Sequence, residues 1–235
     1  MPRIIDLSHS LDDGSPSYPG DPPVRIRDWQ RYEHGYLVSQ LELGTHTGTH
    51  VDAPAHRIVG GRSVTDMDVG AFIGFRVYVA DLAASADLAA PADKRMGAGD
   101  DGASSDLAAS ADINARSLAP FERALEGCDG ILIKTGWSSR WGGAGFFTGY
   151  PSLGEDAAEF LCRMGIRIIG VESPSVSEAS HLETHAALLG RGITIVESVA
   201  CMDGIRAAYV EFHAVPLKLL GRDGSPARAY AIERD

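Results

Sequence analysis

The sequence predicts an α/β fold in a single domain, with helices packed on a mixed sheet. The second half of the chain alternates short helical patterns with apolar strand patterns, an order typical of helices packed on a sheet. The first half contains alternating strand patterns separated by loops rich in proline and glycine. A length of 235 residues suits one large domain, and 44% hydrophobic with 23% charged residues is an ordinary globular composition.

The first half is rich in predicted strands. Residues 4–9 predict a short strand, and the proline and glycine residues of 12–23 then exclude regular structure. Alternating apolar and polar residues predict further strands at 24–29, 36–43 and 75–81.

Residues 82–112 differ in composition from the rest of the chain. They consist mostly of Ala, Ser, Asp and Gly, and the sequence 81–88 recurs almost unchanged at 106–113. Such a segment buries too little apolar surface to offset the entropy of ordering it. We therefore predict a solvated, mobile insertion within the domain at about 82–112.

The second half predicts the helical layer and the strands beneath it. Glycine follows or ends the helical patterns, as is common at helix C-termini. The predicted helices are 117–127, 153–165 and 185–191, and the predicted strands are 130–135, 166–171, 192–197 and 210–215.

Charge and cysteine content narrow the function classes. With 21 Lys and Arg against 32 Asp and Glu, the net charge of −11 argues against binding a nucleic-acid backbone. The apolar runs are far shorter than the roughly 20 residues of a membrane span. Three widely spaced cysteines, Cys128, Cys162 and Cys201, and the lack of a signal-peptide pattern predict reduced thiols in the cytoplasm.

A histidine-rich segment at 44–56 is the sharpest local feature. His46, His50, Asp52 and His56 are all even-numbered, so an extended chain would point them to one side. Two imidazoles and a carboxylate on one side suit Zn²⁺ or another divalent metal. The alternative is a set of hydrogen-bonded structural histidines.

Two later residues are weaker candidates. Glu197 ends an apolar strand pattern, a position where α/β proteins often build sites, and His185 lies in the preceding helical pattern. The alternative for Glu197 is an ordinary surface or capping carboxylate.

The run His46-Thr-Gly-Thr-His-Val-Asp-Ala-Pro-Ala-His56 resembles the signature of the cyclase family of metal-dependent hydrolases. Activities in that family include hydrolysis of aryl formamides and of the cyclic amide isatin. Further likeness extends over most of the chain. It includes Asp6-Leu-Ser-His9, residues 18–23, 134–137 and 170–175, His185 and Glu197.

The resemblance implies a swivelling β/β/α-type fold and a role for each motif residue. It implies a homodimer or homotetramer that holds one or two divalent ions, Zn²⁺ first and Mn²⁺ as the alternative. The implied catalytic residue is His56. The implied metal ligands are His46, His50, Asp52, His185 and Glu197.

The implied activity is hydrolysis of a small aryl formamide such as N-formylkynurenine. His56 would protonate the leaving nitrogen, since an imidazole titrates near neutral pH. The alternatives are an isatin-type lactam hydrolase and a non-catalytic metal-binding protein, which would have no use for an unliganded His56. Aromatic side chains are candidates for the wall of a substrate pocket, although the core is the more common place for any one of them. They are Tyr18, Trp29, Trp137 and Phe146.

Overall fold

The computed structural model describes residues 2–83, 112–143 and 145–234 of the chain. Within these residues lie twelve strands. They are β1 (Arg3–Asp6), β2 (Arg25–Gln30), β3 (Val38–Glu42), β4 (His50–Asp52), β5 (Phe75–Asp81), β6 (Asp112–Ile113), β7 (Gly130–Lys134), β8 (Ser152–Leu153), β9 (Ile168–Val171), β10 (Thr194–Glu197), β11 (Tyr209–Pro216) and β12 (Gly224–Glu233).

Eight of these strands form one mixed sheet in the order β1-β12-β11-β5-β7-β9-β10-β4. The neighbours β5, β7, β9 and β10 are parallel, and the remaining pairings are antiparallel. Strand β4 also pairs with β12, so seven strands close into a ring. The ring holds β4 between β10 and the start of β12, where the histidine-rich segment lies.

In the described residues, four α-helices lie in the connections between the parallel strands, which need such crossovers. They are α1 (Ala115–Leu118), α2 (Glu122–Leu125), α3 (Glu155–Arg163) and α4 (His181–Gly190). Helices α1 and α2 precede β7, α3 joins β7 to β9, and α4 joins β9 to β10.

Alternate residues of the parallel strands serve two separate cores. Ile169 and Ile195 pack against the helices, in a cluster that includes Leu161 of α3. Ile168 and Val196 point to the other face, into a cluster enclosed by the ring. This division follows from the period of two along a strand.

The expected mixed α/β single domain with packed helices is confirmed. Every predicted strand is present with its ends shifted by up to three residues, but the ten-residue β12 was not predicted. The predicted helix 117–127 is instead two short helices, because Pro120 lies in a 3₁₀ turn between them. The predicted helix 185–191 begins four residues earlier, at His181.

The predicted insertion at 82–112 lies almost entirely outside the described residues. Its flanks are anchored: Leu82 and Ile113 are buried in the same core cluster. In the described part of the chain, no helix combines the length and the apolar character that crossing a membrane requires.

Candidate metal centre and cavity

The centre of the site lies where β4, β10 and α4 meet. His50 and Asp52 lie on β4, and the register of the antiparallel pairing sets His50 opposite Glu197, at the end of β10. His185 reaches the same point from α4. All four side chains are buried, with residue exposures of 1–4%.

Four potential metal-ligand groups converge here, but they do not form hydrogen bonds with one another. His50 Nε2 lies 3.3 Å from Asp52 Oδ1 and 3.3 Å from Glu197 Oε2. His185 Nε2 lies 3.3 Å from Glu197 Oε1 and 3.6 Å from Asp52 Oδ2. Nevertheless, His50 Nε2, Asp52 Oδ2 and His185 Nε2 have no hydrogen-bond partner among the described residues.

The far side of each imidazole is already engaged. His50 Nδ1 donates to the Gly48 carbonyl and His185 Nδ1 to the His181 carbonyl, both at 2.7 Å. Each bond directs a lone pair on Nε2 toward the carboxylates when the ring is neutral. Buried polar atoms without partners are costly, so this set of nitrogen and oxygen donors fits a divalent metal ion. His50, Asp52 and Glu197 form one group of potential ligands within 4.8 Å of one another.

The imidazoles and carboxylates of the cluster shift one another's pKa values. Burial opposes a charged imidazole, but the carboxylates of Asp52 and Glu197 outweigh it and raise the pKa of both His50 and His185 to about 10. Burial and the Asp52 charge oppose ionisation of Glu197, yet the two imidazoles lower its pKa to about 2. Protons and a metal ion therefore compete for the same nitrogens.

His46 and His56 flank this centre from either side of β4. His46 Nδ1 lies 2.8 Å from Asp52 Oδ1, and the His46 and His56 ring centroids are 4.0 Å apart. Together with Asp52 they form a second group of potential ligands. Both imidazoles thus reach the same site as His50.

The backbone around His46 and His56 is not the extended chain that the sequence predicted. Only His50–Asp52 is a strand. Gly48, with a φ of +60°, turns the chain between His46 and His50, and Pro54 begins a 3₁₀ turn that carries His56. The parity argument is therefore wrong for these two histidines, although their side chains do meet Asp52 and one another.

Two residues at the site were missed from the sequence. Asp223, just before β12, lies 2.8 Å from His46 Nε2 through its Oδ2, and no local spacing links positions 177 residues apart. The His181 ring packs against the His185 ring at an interplanar angle of 49°, with the ring centroids 4.4 Å apart. Its spacing of four residues from His185 was the available signal, but the helix was predicted to begin only at His185.

A cavity of about 390 Å³ opens beside the cluster, a size that suits a small ligand. His46, His50, His56 and Glu197 line one side of it, and Tyr18, Asp21, Ser175 and His181 are among the other lining residues. The cavity is therefore bounded by the candidate ligands and by His56 together.

Of the four predicted pocket aromatics, only Tyr18 lines this cavity. Trp137 and Phe146 are buried in a separate cluster with Tyr150, where Trp137 Nε1 donates to the Phe146 carbonyl at 2.9 Å. Trp29 lies on β2 and is 72% exposed. Aromatic side chains gain as much from core packing as from a pocket, which is why composition did not separate these roles.

Comparison with known proteins finds relatives that match most of the chain. The sequence model of the family described as "Putative cyclase" matches residues 5–178. The chain is 34% identical over 229 residues to a kynurenine formamidase of Bacillus cereus (strain ATCC 10987 / NRS 248), covering 96% of this chain and 95% of that protein. It is also 34% identical over 230 residues to a kynurenine formamidase of Geobacillus thermodenitrificans (strain NG80-2), with the same coverage.

Solved structures show the same architecture. Isatin hydrolase A from Labrenzia aggregata, bound to benzyl benzoate, superimposes with a TM-score of 0.80 at 25% identity, covering all of this chain and 94% of that one. Together with the family match over residues 5–178, these similarities show that the chain belongs to the "Putative cyclase" family.

Proposed function

We propose that this protein is a metal-dependent amide hydrolase whose substrate is a small aryl formamide, with N-formylkynurenine as the first candidate. The observation that carries the proposal is the set of buried, unpartnered atoms of His50, Asp52 and His185 beside a cavity that His56 also lines. The kynurenine formamidases that are 34% identical over 96% of the chain support the choice of substrate class.

The residues that would hold the metal are His50, Asp52, His185 and Glu197, with His46 adjoining them through Asp52. We propose Zn²⁺ as the ion, because imidazole and carboxylate donors suit it, with Mn²⁺ as the alternative and one or two ions bound. A divalent ion there would lower the pKa of a coordinated water toward neutrality and polarise an amide carbonyl.

His56 would move the proton that the reaction requires. Burial lowers the pKa of His56, so its resting imidazole is neutral at pH 7. A neutral ring first accepts a proton from the attacking water and then donates it to the leaving amine nitrogen as the C–N bond breaks. His56 Nδ1 faces Asp223, which leaves Nε2 available for these transfers.

A cyclic amide of the isatin type is the second candidate substrate. The superposition on isatin hydrolase A, with a TM-score of 0.80, favours it. The chemistry is the same, because water adds to an amide carbonyl beside an aromatic ring and the nitrogen leaves with a proton.

A paired assay separates these possibilities. Hydrolysis of N-formylkynurenine and of isatin would be followed on one purified sample whose metal content is measured. We expect kcat/KM above about 10⁴ M⁻¹s⁻¹ for N-formylkynurenine, within the range of ordinary enzymes. A preference for isatin would favour the second candidate. Metal-bound protein that is inactive on both would contradict this substrate class and favour a metal-binding role without catalysis.

We also propose that the protein assembles as a homodimer or homotetramer. The β2–β3 ribbon exposes large apolar side chains, including Trp29 at 72%, Tyr32 at 74% and Leu41 at 61%. Several large apolar side chains exposed on one ribbon favour an association surface. Light scattering after size exclusion should give a mass of two or four chains, and a monomer at micromolar concentration would contradict the proposal.

A cytoplasmic location is likewise proposed. Cys128, Cys162 and Cys201 all lie in the described residues and are free thiols there, as expected in a reducing compartment.

A further inference from the structure

We infer that Asp223 is a positioning residue shared by the metal centre and by the proton-transfer histidine. One carboxylate oxygen, Oδ2, lies 2.8 Å from His46 Nε2 and 3.5 Å from His56 Nδ1. The inference rests on the proposed function for the chemistry of His56, whereas its effect on His46 rests on geometry alone.

The backbone around Asp223 is fixed against the histidine-rich segment. The Asp223 carbonyl accepts a hydrogen bond from the Ala53 amide at 2.9 Å, directly after β4. The next residue, Gly224, pairs with Asp52 in the sheet register. A Cβ atom at Gly224 would lie 2.6 Å from His46 Cε1 and 2.8 Å from the Val51 carbonyl oxygen, so glycine is needed for this close approach.

The carboxylate itself is oriented by its second oxygen. Thr45 Oγ1 donates to Asp223 Oδ1 at 3.3 Å, while Oδ2 faces the two imidazoles. Asp223 is thus an oriented acceptor that faces both imidazoles.

For His46, the arrangement separates the roles of the two ring nitrogens. Nε2 donates to Asp223, and Nδ1 faces Asp52 Oδ1 at 2.8 Å, on the side of the buried cluster. A histidine whose outer N–H is held by a carboxylate presents its inner nitrogen as a fixed and more basic ligand. Asp223 therefore determines which nitrogen of His46 is directed toward the cluster.

For His56, the same oxygen selects the protonated position of the ring. An N–H at Nδ1 is favoured by the facing carboxylate, which leaves the lone pair on Nε2. Because both rings share one oxygen and lie 4.0 Å apart, a change at position 223 alters both imidazoles together. This coupling distinguishes a shared positioning residue from an ordinary surface carboxylate.

The test compares Asp223→Asn with a matched control, Asp129→Asn. Both carboxylates are partly buried, with side-chain exposures of 40% and 34%, but Asp129 pairs with Arg167, whereas Asp223 faces His46 and His56. Zn²⁺ affinity of the metal-free proteins would be measured by competition with a chromogenic chelator. ¹⁵N NMR of labelled histidines would report the tautomer of His56, and kcat and KM would be measured for N-formylkynurenine.

We expect Asp223→Asn to weaken Zn²⁺ binding by about 10- to 100-fold, to lose the single Nδ1–H tautomer of His56, and to lower kcat more than it changes KM. Asp129→Asn should retain wild-type values, and Asp223→Glu should recover part of the Zn²⁺ affinity. Wild-type Zn²⁺ affinity, or an unchanged His56 tautomer, in a folded Asp223→Asn protein would overturn the inference. If Asp223→Asn does not fold, Asp223→Ser, which also removes the carboxylate, decides by the same two readouts, with wild-type values for either overturning the inference. Wild-type protein that is inactive on the formamide would count against the proposed function only, since both readouts are independent of turnover.

Discussion

Replacing His56 with alanine should separate catalysis from metal binding. The side chain is 26% exposed and lies 3.5 Å from Asp223, its nearest charged partner, so its loss should cost little folding stability. The four convergent atoms of His50, Asp52, His185 and Glu197 do not include His56, so metal content should be retained. General acid–base catalysis contributes about 10²- to 10⁴-fold, which corresponds to about 2.7–5.4 kcal/mol of barrier at 1.36 kcal/mol per tenfold change.

The assay measures kcat and KM for N-formylkynurenine at saturating metal, with elemental analysis of the same samples. His213→Gln is a suitable control, because His213 is also largely buried but contacts Glu211 and the Gly74 amide, away from the cavity lining. We expect kcat to fall only in the His56 variant. A metal-depleted His56→Ala protein would show that His56 is a ligand. A loss of kcat below about tenfold would refute its role in proton transfer.

Three further outcomes follow from the structure. Zn²⁺ at 1,000 times its Kd should stabilise the metal-free protein by about 4 kcal/mol, which raises Tm by about 8–16 °C for a domain of this size. The His50→Ala protein should lose most of this rise. An equal rise in the wild-type and His50→Ala proteins would contradict the ligand assignment. Glu172→Ala should lower Tm by about 6–12 °C. The buried Glu172 carboxylate accepts hydrogen bonds from the backbone N–H groups of Thr135 and Gly136, and losing these bonds costs about 3 kcal/mol. A change in Tm below about 2 °C on thermal unfolding would refute this prediction. Deleting residues 84–111 and joining the ends with a Gly/Ser linker should leave folding and Zn²⁺ affinity unchanged, since loop-closure entropy varies slowly with length. Insoluble protein would show instead that the segment packs against the rest of the domain.

Local patterns predicted much of this fold because they report burial directly. The strand β7 is a continuous apolar run that the structure buries on both faces. In β5, buried and exposed side chains alternate along the first residues of the strand. Strand β12 was missed because its alternating side chains are mostly small and its start contains Pro226. Its pairing with the three-residue β4 is a long-range contact that no local pattern specifies.

The same distinction applies to the site. His50 and Asp52 share a strand, so their spacing was informative, and Glu197 was signalled by its place at the end of an apolar strand. Asp223 reaches His46 only because the sheet closes, and this contact depends on the complete topology. Trp137 was a candidate for a pocket wall with the core as the alternative, and the structure places it in the core.

The central claim is that the buried cluster of His50, Asp52, His185 and Glu197 binds a divalent ion on which amide hydrolysis depends. The most direct measurement is hydrolysis of N-formylkynurenine by protein stripped with a strong chelator and shown by elemental analysis to be metal-free, before and after Zn²⁺ or Mn²⁺ is returned. The account predicts that the stripped protein is inactive and that activity returns as the ion is bound. Full turnover by the metal-free protein would contradict it.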